Sequence, residues 1–211
     1  MDSWIVKIEE YWDCFQTPRE EFPRSSAVMI PLLTDKNGET AVLFEHRAKD
    51  LDVQPDEICF PGGGVEQGET PQEAVIRETK EELLIPEEQI RILGETNGIG
   101  SNGIMLIHAF VGVLENYAGT FSPLEVDHTF TVPLNWFLSH PPEEYITTLT
   151  TVPGEDFPFD RVPGGRHYPW RSQKNSVYFY DYPGEVIWGL TAKILYTFTQ
   201  ILSSMDIEIK D

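Results

Sequence analysis

Apolar and polar positions repeat with two different periods along this chain, and the switches between them mark out its elements. Trp4, Ile8, Tyr11 or Trp12, and Phe15 recur at helical spacing and predict an amphipathic N-terminal helix within residues 1–20. Ser26–Leu33 and Thr40–Glu45 read as strands, and the Asn37-Gly38 pair between them is a hairpin signal. Glu57–Phe60 predicts a short strand running into the glycines at 62–64. Gln89–Thr96 and Ile104–Leu114 predict two longer strands around the Gly- and Asn-rich stretch Asn97–Gly103, which reads as a rim over a site or as a plain hairpin connection. Val132–Leu138 predicts a short helix after Pro133, Tyr145–Val152 and Ser176–Tyr180 predict strands, and Ile187–Leu202 predicts a closing helix. Residues 153–171, with four Pro among aromatics, read as an ordered loop. Strands interleaved with helices predict an α/β fold, a mixed β-sheet with helices on both faces. No linker divides the chain, so a single domain over 1–211 with a core at 26–202 is expected.

The best-specified helix follows the glycine run. Thr70-Pro71-Gln72-Glu73 is a capping box with Pro at the first helical position. Ala74, Ile76, Thr79 and Leu83 predict its buried stripe. Glu78, Glu81 and Glu82 stand at i, i+3 and i+4 and so project from one face, where like charges repel unless a cation joins them. Oxygen-only ligands on a rigid helix suit Mg²⁺ or Mn²⁺, ions that bridge protein carboxylates to substrate phosphates. Arg77 lies four residues after Glu73 and four before Glu81, spaced to pair with both and hold the acidic face in place.

Charge sharpens that reading. Thirty-five acidic residues against fifteen basic ones leave a net charge of −20, which excludes the basic footprint of a nucleic-acid binder and disfavours an anionic membrane. A phosphate substrate would be repelled at long range, so a local cation becomes necessary. The 40% hydrophobic fraction excludes disorder. Cys14 and Cys59 form no metal-binding or redox pair and, with an acidic N-terminus unlike a secretion signal, predict reduced thiols in a cytoplasmic protein. The longest apolar run, Ile104–Leu114, is too short to span a bilayer. His108 within it reads as a hydrogen-bonded core histidine, and Trp188 as core packing.

Gly63, Glu69, Arg77, Glu78, Glu81, Glu82 and Ile85 resemble the Nudix box, with Thr79 in place of an apolar residue and Leu84 in place of a glycine. A β-carbon in the left-handed geometry that glycine normally supplies costs about 1–2 kcal/mol, so a differently shaped helix exit is expected before Pro86. The resemblance implies an α/β/α sandwich and hydrolysis of a nucleoside diphosphate conjugate by attack of water on phosphorus with metal assistance. It implies that the Gly62 carbonyl joins Glu78, Glu81 and Glu82 as a metal ligand, with Glu69, and by its spacing Glu73, supporting from behind. Glu78 is the first candidate for general base and Glu125 the second.

Upstream, Leu43, Arg47, Phe60, Pro61, Gly62 and Gly63 resemble the signature of coenzyme A pyrophosphatases. Phe44, His46, Ala48, Asp52 and Asp56 depart from it, and Asp52 reverses the charge of an arginine. The segments Leu124–Leu134 and Val186–Leu195 resemble that branch as well. Coenzyme A or an acyl derivative is therefore the first substrate expected, ADP-ribose or a nucleotide sugar the second; a Nudix module that binds a nucleotide without turnover is the reading from another class. Arg47, Arg166 and Tyr168 are the candidate substrate contacts. The loop around Arg161, Arg166, His167 and Arg171 reads equally as a nucleotide-facing loop or as a surface paired to the chain's acids. A homodimer is left open.

Overall fold

The computed structural model describes residues 24–96, 99–101 and 105–204, with backbone alone at 24 and 99–101. The predicted N-terminal helix and Cys14 lie outside the described residues. β1 (Arg24–Thr34) and β2 (Thr40–Arg47) form the expected hairpin, its turn closed by Asp35 Oδ1 accepting from the Asn37 and Glu39 amides at 2.8 and 2.9 Å. β3 (Ile58–Cys59) extends the sheet beyond β2, and β4 (Gly62–Gly64) adds to β1. β7 (Met105–Leu114) runs parallel to β1, with β5 (Ile90–Glu95) antiparallel on its far side. The sheet is thus mixed, as expected.

Further strands besides β4 were not anticipated. Residues 99–101, within the stretch read as a loop, form β6 (Ile99–Ser101) on β7. Val126–Pro133 is β8, paired antiparallel with β2; Val126, His128, Phe130 and Val132 alternate with polar residues, a period-two signal obscured by His128 and by the polar Asp127, Thr129 and Thr131. The short helix after Pro133 is α2 (Leu134–Ser139). β9 (Glu143–Thr150), β10 (Ser172–Tyr182) and β11 (Glu185–Trp188) make a separate antiparallel sheet, and the closing helix, α3, spans Gly189–Ser204. The closing segment therefore begins as a strand: Ile187 points inward, fully buried, while Val186 and Trp188 are exposed, so Trp188 stacks on Phe179 at the surface and is not core.

α1 (Pro71–Leu83) begins at the predicted cap: Thr70 Oγ1 accepts from the Glu73 amide at 3.2 Å and the Glu73 carboxylate accepts from the Thr70 amide at 2.8 Å. Ala74, Val75, Thr79 and Leu83 are fully buried against β1 and β7 with Ala27, Met29, Leu43 and Phe110. Val75, absent from the predicted stripe, takes the central place; Thr79 is tolerated because its hydroxyl donates to the Val75 carbonyl at 2.7 Å. The opposite face of the sheet packs Phe44, Val42 and Val132 against α2, α3 and the second sheet in one cluster that includes Tyr180, Ile187, Leu195 and Phe198.

The exit of α1 corrects the expectation. Leu84 itself adopts the left-handed conformation, φ 52° and ψ 47°, with its side chain exposed, so the helix ends as a glycine would end it and the leucine bears the strain. Leu84→Gly should remove about 1 kcal/mol of that strain and raise the thermal midpoint by about 2–4 °C, measurable by calorimetry. An unchanged or lower midpoint would mean that the backbone there is relaxed.

Candidate active site

α1 carries its acids onto the edge of the sheet where β2, β4 and the loop before β8 converge. Glu82 is the most enclosed, 3% exposed, and its carboxylate accepts from the Gly62 amide at 2.8 Å. Burial, followed by the charges of Glu78 and Glu125, pushes its pKa up to about 8 against the opposing pull of that amide and of Arg47. Glu78, one turn back, is half-buried, and burial raises its pKa too, partly offset by Arg77. Glu81 is exposed. The three predicted glutamates therefore share a face but not an environment.

Arg77 underlies this face. Its Nε and Nη2 bind Glu69 at 2.9 and 3.1 Å, Nη1 donates to Glu78 at 2.8 Å and to Glu81 at 3.4 Å, and Nη2 also reaches the Gly64 carbonyl at 3.1 Å. One planar fork thus ties the start of the helix, its middle and the glycine strand together. Arg77 holds Glu78 and Glu81 as expected, but its partner toward the N-terminus is Glu69, not Glu73. Glu73 is occupied by the cap, which lowers its pKa through the Thr70 amide, so its task is to start the helix.

The glycines are required here. Gly62, at φ 150°, has no room for a β-carbon, which would lie 2.6 Å from Val28 Cα, and one on Gly63 would lie 2.8 Å from Glu78 Oε2. The far end of α1 brings in Glu125. The Glu82 carbonyl accepts from the Ser122 amide at 2.7 Å and the Leu83 carbonyl from Thr120 Oγ1 at 2.7 Å, satisfying carbonyls left free at a helix end. That docked loop continues into Glu125, whose charge raises the pKa values of Glu45, Glu78 and Glu82.

Glu45 was missed. It is 1% exposed on β2, its pKa is raised by burial and then by Glu82, and its Oε1 has no hydrogen-bond partner among the described residues. A carboxylate interrupting the buried run of Thr40–Arg47 was the available signal. Arg47 lies on the same face two residues on; it lowers the pKa of both Glu45 and Glu82, reaches the Val53 carbonyl at 3.4 Å, and its buried Nε has no hydrogen-bond partner among the described residues. Arg166 and Tyr168 are not brought to this cluster by any contact described. Arg166 sits over the Phe159 ring at 4.5 Å, and Tyr168 packs edge-on against Trp170, contacts internal to the 153–171 loop. His108 bonds Glu95 through Nδ1 at 2.5 Å but is only half-buried.

A family model described as the NUDIX domain matches residues 23–155. The chain belongs to the Nudix hydrolases. An uncharacterized Nudix hydrolase NudL of Photorhabdus laumondii is 29% identical over 84% of this chain and 84% of its own length. The peroxisomal coenzyme A diphosphatase NUDT7 of Mus musculus is 31% identical over 62% of this chain and 55% of its own length, so the chain spans little more than half of that relative. Among solved structures, the Nudix hydrolase RenU of M. smegmatis covers 56% of this chain and 78% of its own, at 20% identity and a TM-score of 0.46. Nudix enzymes use divalent metals, and the donor set here fits one. Among the described residues, Glu45, Glu78, Glu82 and Glu125 crowd together with Arg47 and Arg77 opposing them, Glu82 is held above its ordinary pKa, and a buried Glu45 oxygen lacks a partner. No helix among the described residues is long and apolar enough to cross a membrane.

Proposed function

We propose that this Nudix hydrolase cleaves the pyrophosphate bond of coenzyme A or an acyl-coenzyme A, releasing 3′,5′-ADP and 4′-phosphopantetheine or its acyl derivative. The observation that carries the reading is the position of Arg47. It belongs to the matched part of the upstream signature and stands beside Glu45 and Glu82 with a buried Nε that has no hydrogen-bond partner among the described residues, a donor next to the carboxylates. The mouse relative, a coenzyme A diphosphatase, supports the same substrate class.

Glu78, Glu81, Glu82 and the Gly62 carbonyl would hold Mg²⁺ or Mn²⁺, an ion that offsets phosphate charge and acidifies water. Arg77 and Glu69 orient the glutamates, and Arg47 steadies a substrate phosphate. The oxygen of water bonds to phosphorus, the anhydride P–O bond breaks, and the proton passes to Glu78 or, as the alternative base, Glu125. The domain in this reading extends past residue 155 through α3, because β10, β11 and α3 share the hydrophobic cluster of β2 and β8.

Asp52 favours a second reading. It is exposed where the signature has an arginine, and a carboxylate there opposes the extra phosphate of coenzyme A, leaving ADP-ribose or a nucleotide sugar as substrate. Incubation with coenzyme A, acyl-coenzyme A, ADP-ribose, NADH and FAD in Mg²⁺ or Mn²⁺, with products resolved chromatographically, separates the two. Coenzyme A should be consumed fastest. Cleavage of ADP-ribose with coenzyme A left intact refutes the first reading, and inertness toward the whole panel favours a binding module or a substrate outside the panel.

A further inference from the structure

The face of β2 turned away from the glutamates holds a second group of ligating side chains. Side chains alternate along a strand, so His46 projects opposite to its neighbours Glu45 and Arg47, at the end of the aromatic row that Phe44 forms with Phe60, Phe130 and Phe137. Its cross-strand partner is His128 on β8, and the two imidazoles stack with centroids 4.8 Å apart. Asp127 would ordinarily point to the other face. The register breaks here, however: Arg47 pairs with Val126 and His46 with His128, which leaves Asp127 as an extra, unpaired residue. Such a bulge re-aims a side chain, and Asp127 Oδ2 lies 2.8 Å from His128 Nδ1.

One ligand atom from each of His46, Asp127 and His128 thus falls within 4.8 Å of the others. Two more carboxylates stand near, Asp56 at 3.6 Å from His46 Nδ1 and Glu185 at 3.9 Å from His128 Nε2. His46 Nδ1 is buried and makes no hydrogen bond among the described residues, an orphaned donor or acceptor that a ligand would satisfy. The donor set of two imidazoles and a carboxylate differs in kind from the all-oxygen set on α1. It suits a borderline transition ion, whereas Mg²⁺ prefers carboxylates and water.

We propose that His46, His128 and Asp127 bind a divalent transition ion, Zn²⁺ foremost, at a site across the sheet from the glutamate cluster. The ion joins β2 to β8 at the bulge, directly behind Glu45 and Arg47, and leaves a coordination position for water, Asp56 or Glu185. Its occupancy stabilises the edge of the sheet that presents Arg47 to the other face.

Equilibrium dialysis of the full chain against Zn²⁺, with excess Mg²⁺ present to occupy oxygen ligands, tests this. One equivalent should be retained, and Zn²⁺ should raise the thermal midpoint. His46→Gln, His128→Gln and Asp127→Asn should each weaken retention by at least about tenfold, the least that loss even of a supporting residue costs a metal site. Glu82→Gln should leave it unchanged. Co²⁺ in place of Zn²⁺ should give a visible absorption band that the His46 variant loses. Asp127 is exposed, so its variant carries the test if the histidine variants fail to fold. No retained Zn²⁺, or retention that falls with Glu82 but not with Asp127 or the histidines, overturns the site.

Discussion

Glu82→Gln is expected to lower kcat by on the order of 10³-fold, a loss of the several kcal/mol that a positioned divalent ion supplies, while making the metal-free protein more stable at pH 8. Both effects follow from the burial that pushes the Glu82 pKa up to about 8 from 4.5. The unfolded chain ionises this carboxyl near 4.5 and the folded one near 8. Below 4.5 both states are protonated and nothing is lost. As pH rises from 4.5 to 8 the folded state is progressively penalised, by on the order of 5 kcal/mol in full. In EDTA, the thermal midpoint of the native sequence should therefore fall across this window, and Mg²⁺ or Mn²⁺ should reverse the trend by binding the ionised form. Glutamine keeps an acceptor for the Gly62 amide but carries no charge, so the variant should lose most of the slope. A residual slope is expected from Glu45, whose pKa is raised in the same direction, chiefly by burial and then by Glu82 itself. Equal slopes in the two proteins would show that Glu82 is solvated, and the metal-site assignment would then lose its main support.

How much of this arrangement could be read from the residues depended on whether the signal was local. The cap at Thr70 and Glu73, the hairpin at Asn37-Gly38 and the shared face of Glu78, Glu81 and Glu82 each rest on contacts within a few residues, and all three appear as expected. Whatever depends on tertiary docking did not. Arg77 had two partners at helical spacing, yet it takes Glu69 from before the helix because Glu73 is already spent on the cap. Glu45 gains its significance only when β2 comes to lie beside the end of α1, where Glu82 stands far along the chain. Leu84 shows the reverse override: the local cost of left-handed geometry pointed to a differently shaped exit, but docking of Thr120 and Ser122 onto the last helical carbonyls holds the exit in the left-handed shape. Asp127 and His128 were invisible as partners, since neighbours in a regular strand face apart and only the bulge brings them together.

Gly62→Ala and Gly63→Ala should differ sharply, although the two positions are adjacent. A β-carbon at Gly62 meets the backbone of β1, 2.6 Å from Val28 Cα, and the φ of 150° is one that alanine avoids. Beside Gly62, β1 is backed by the parallel β7, which pairs with it from Arg24 to Leu32, and it is held by β2 further along, so it cannot retreat; Gly62→Ala should cost at least about 3 kcal/mol and give little folded protein. At Gly63 the obstacle is the Glu78 carboxylate, the movable end of a side chain. The alanine variant should fold with its midpoint within about 4 °C of the native sequence. It should nevertheless turn over about 10²-fold more slowly, because Glu78 must leave both its 2.8 Å contact with Arg77 and its place beside Glu82. Its affinity for Mg²⁺ or Mn²⁺, measured by titration, should weaken in parallel. A Gly63→Ala protein with native kcat and native metal affinity would mean that the position of Glu78 is immaterial, and the role of base would pass to Glu125.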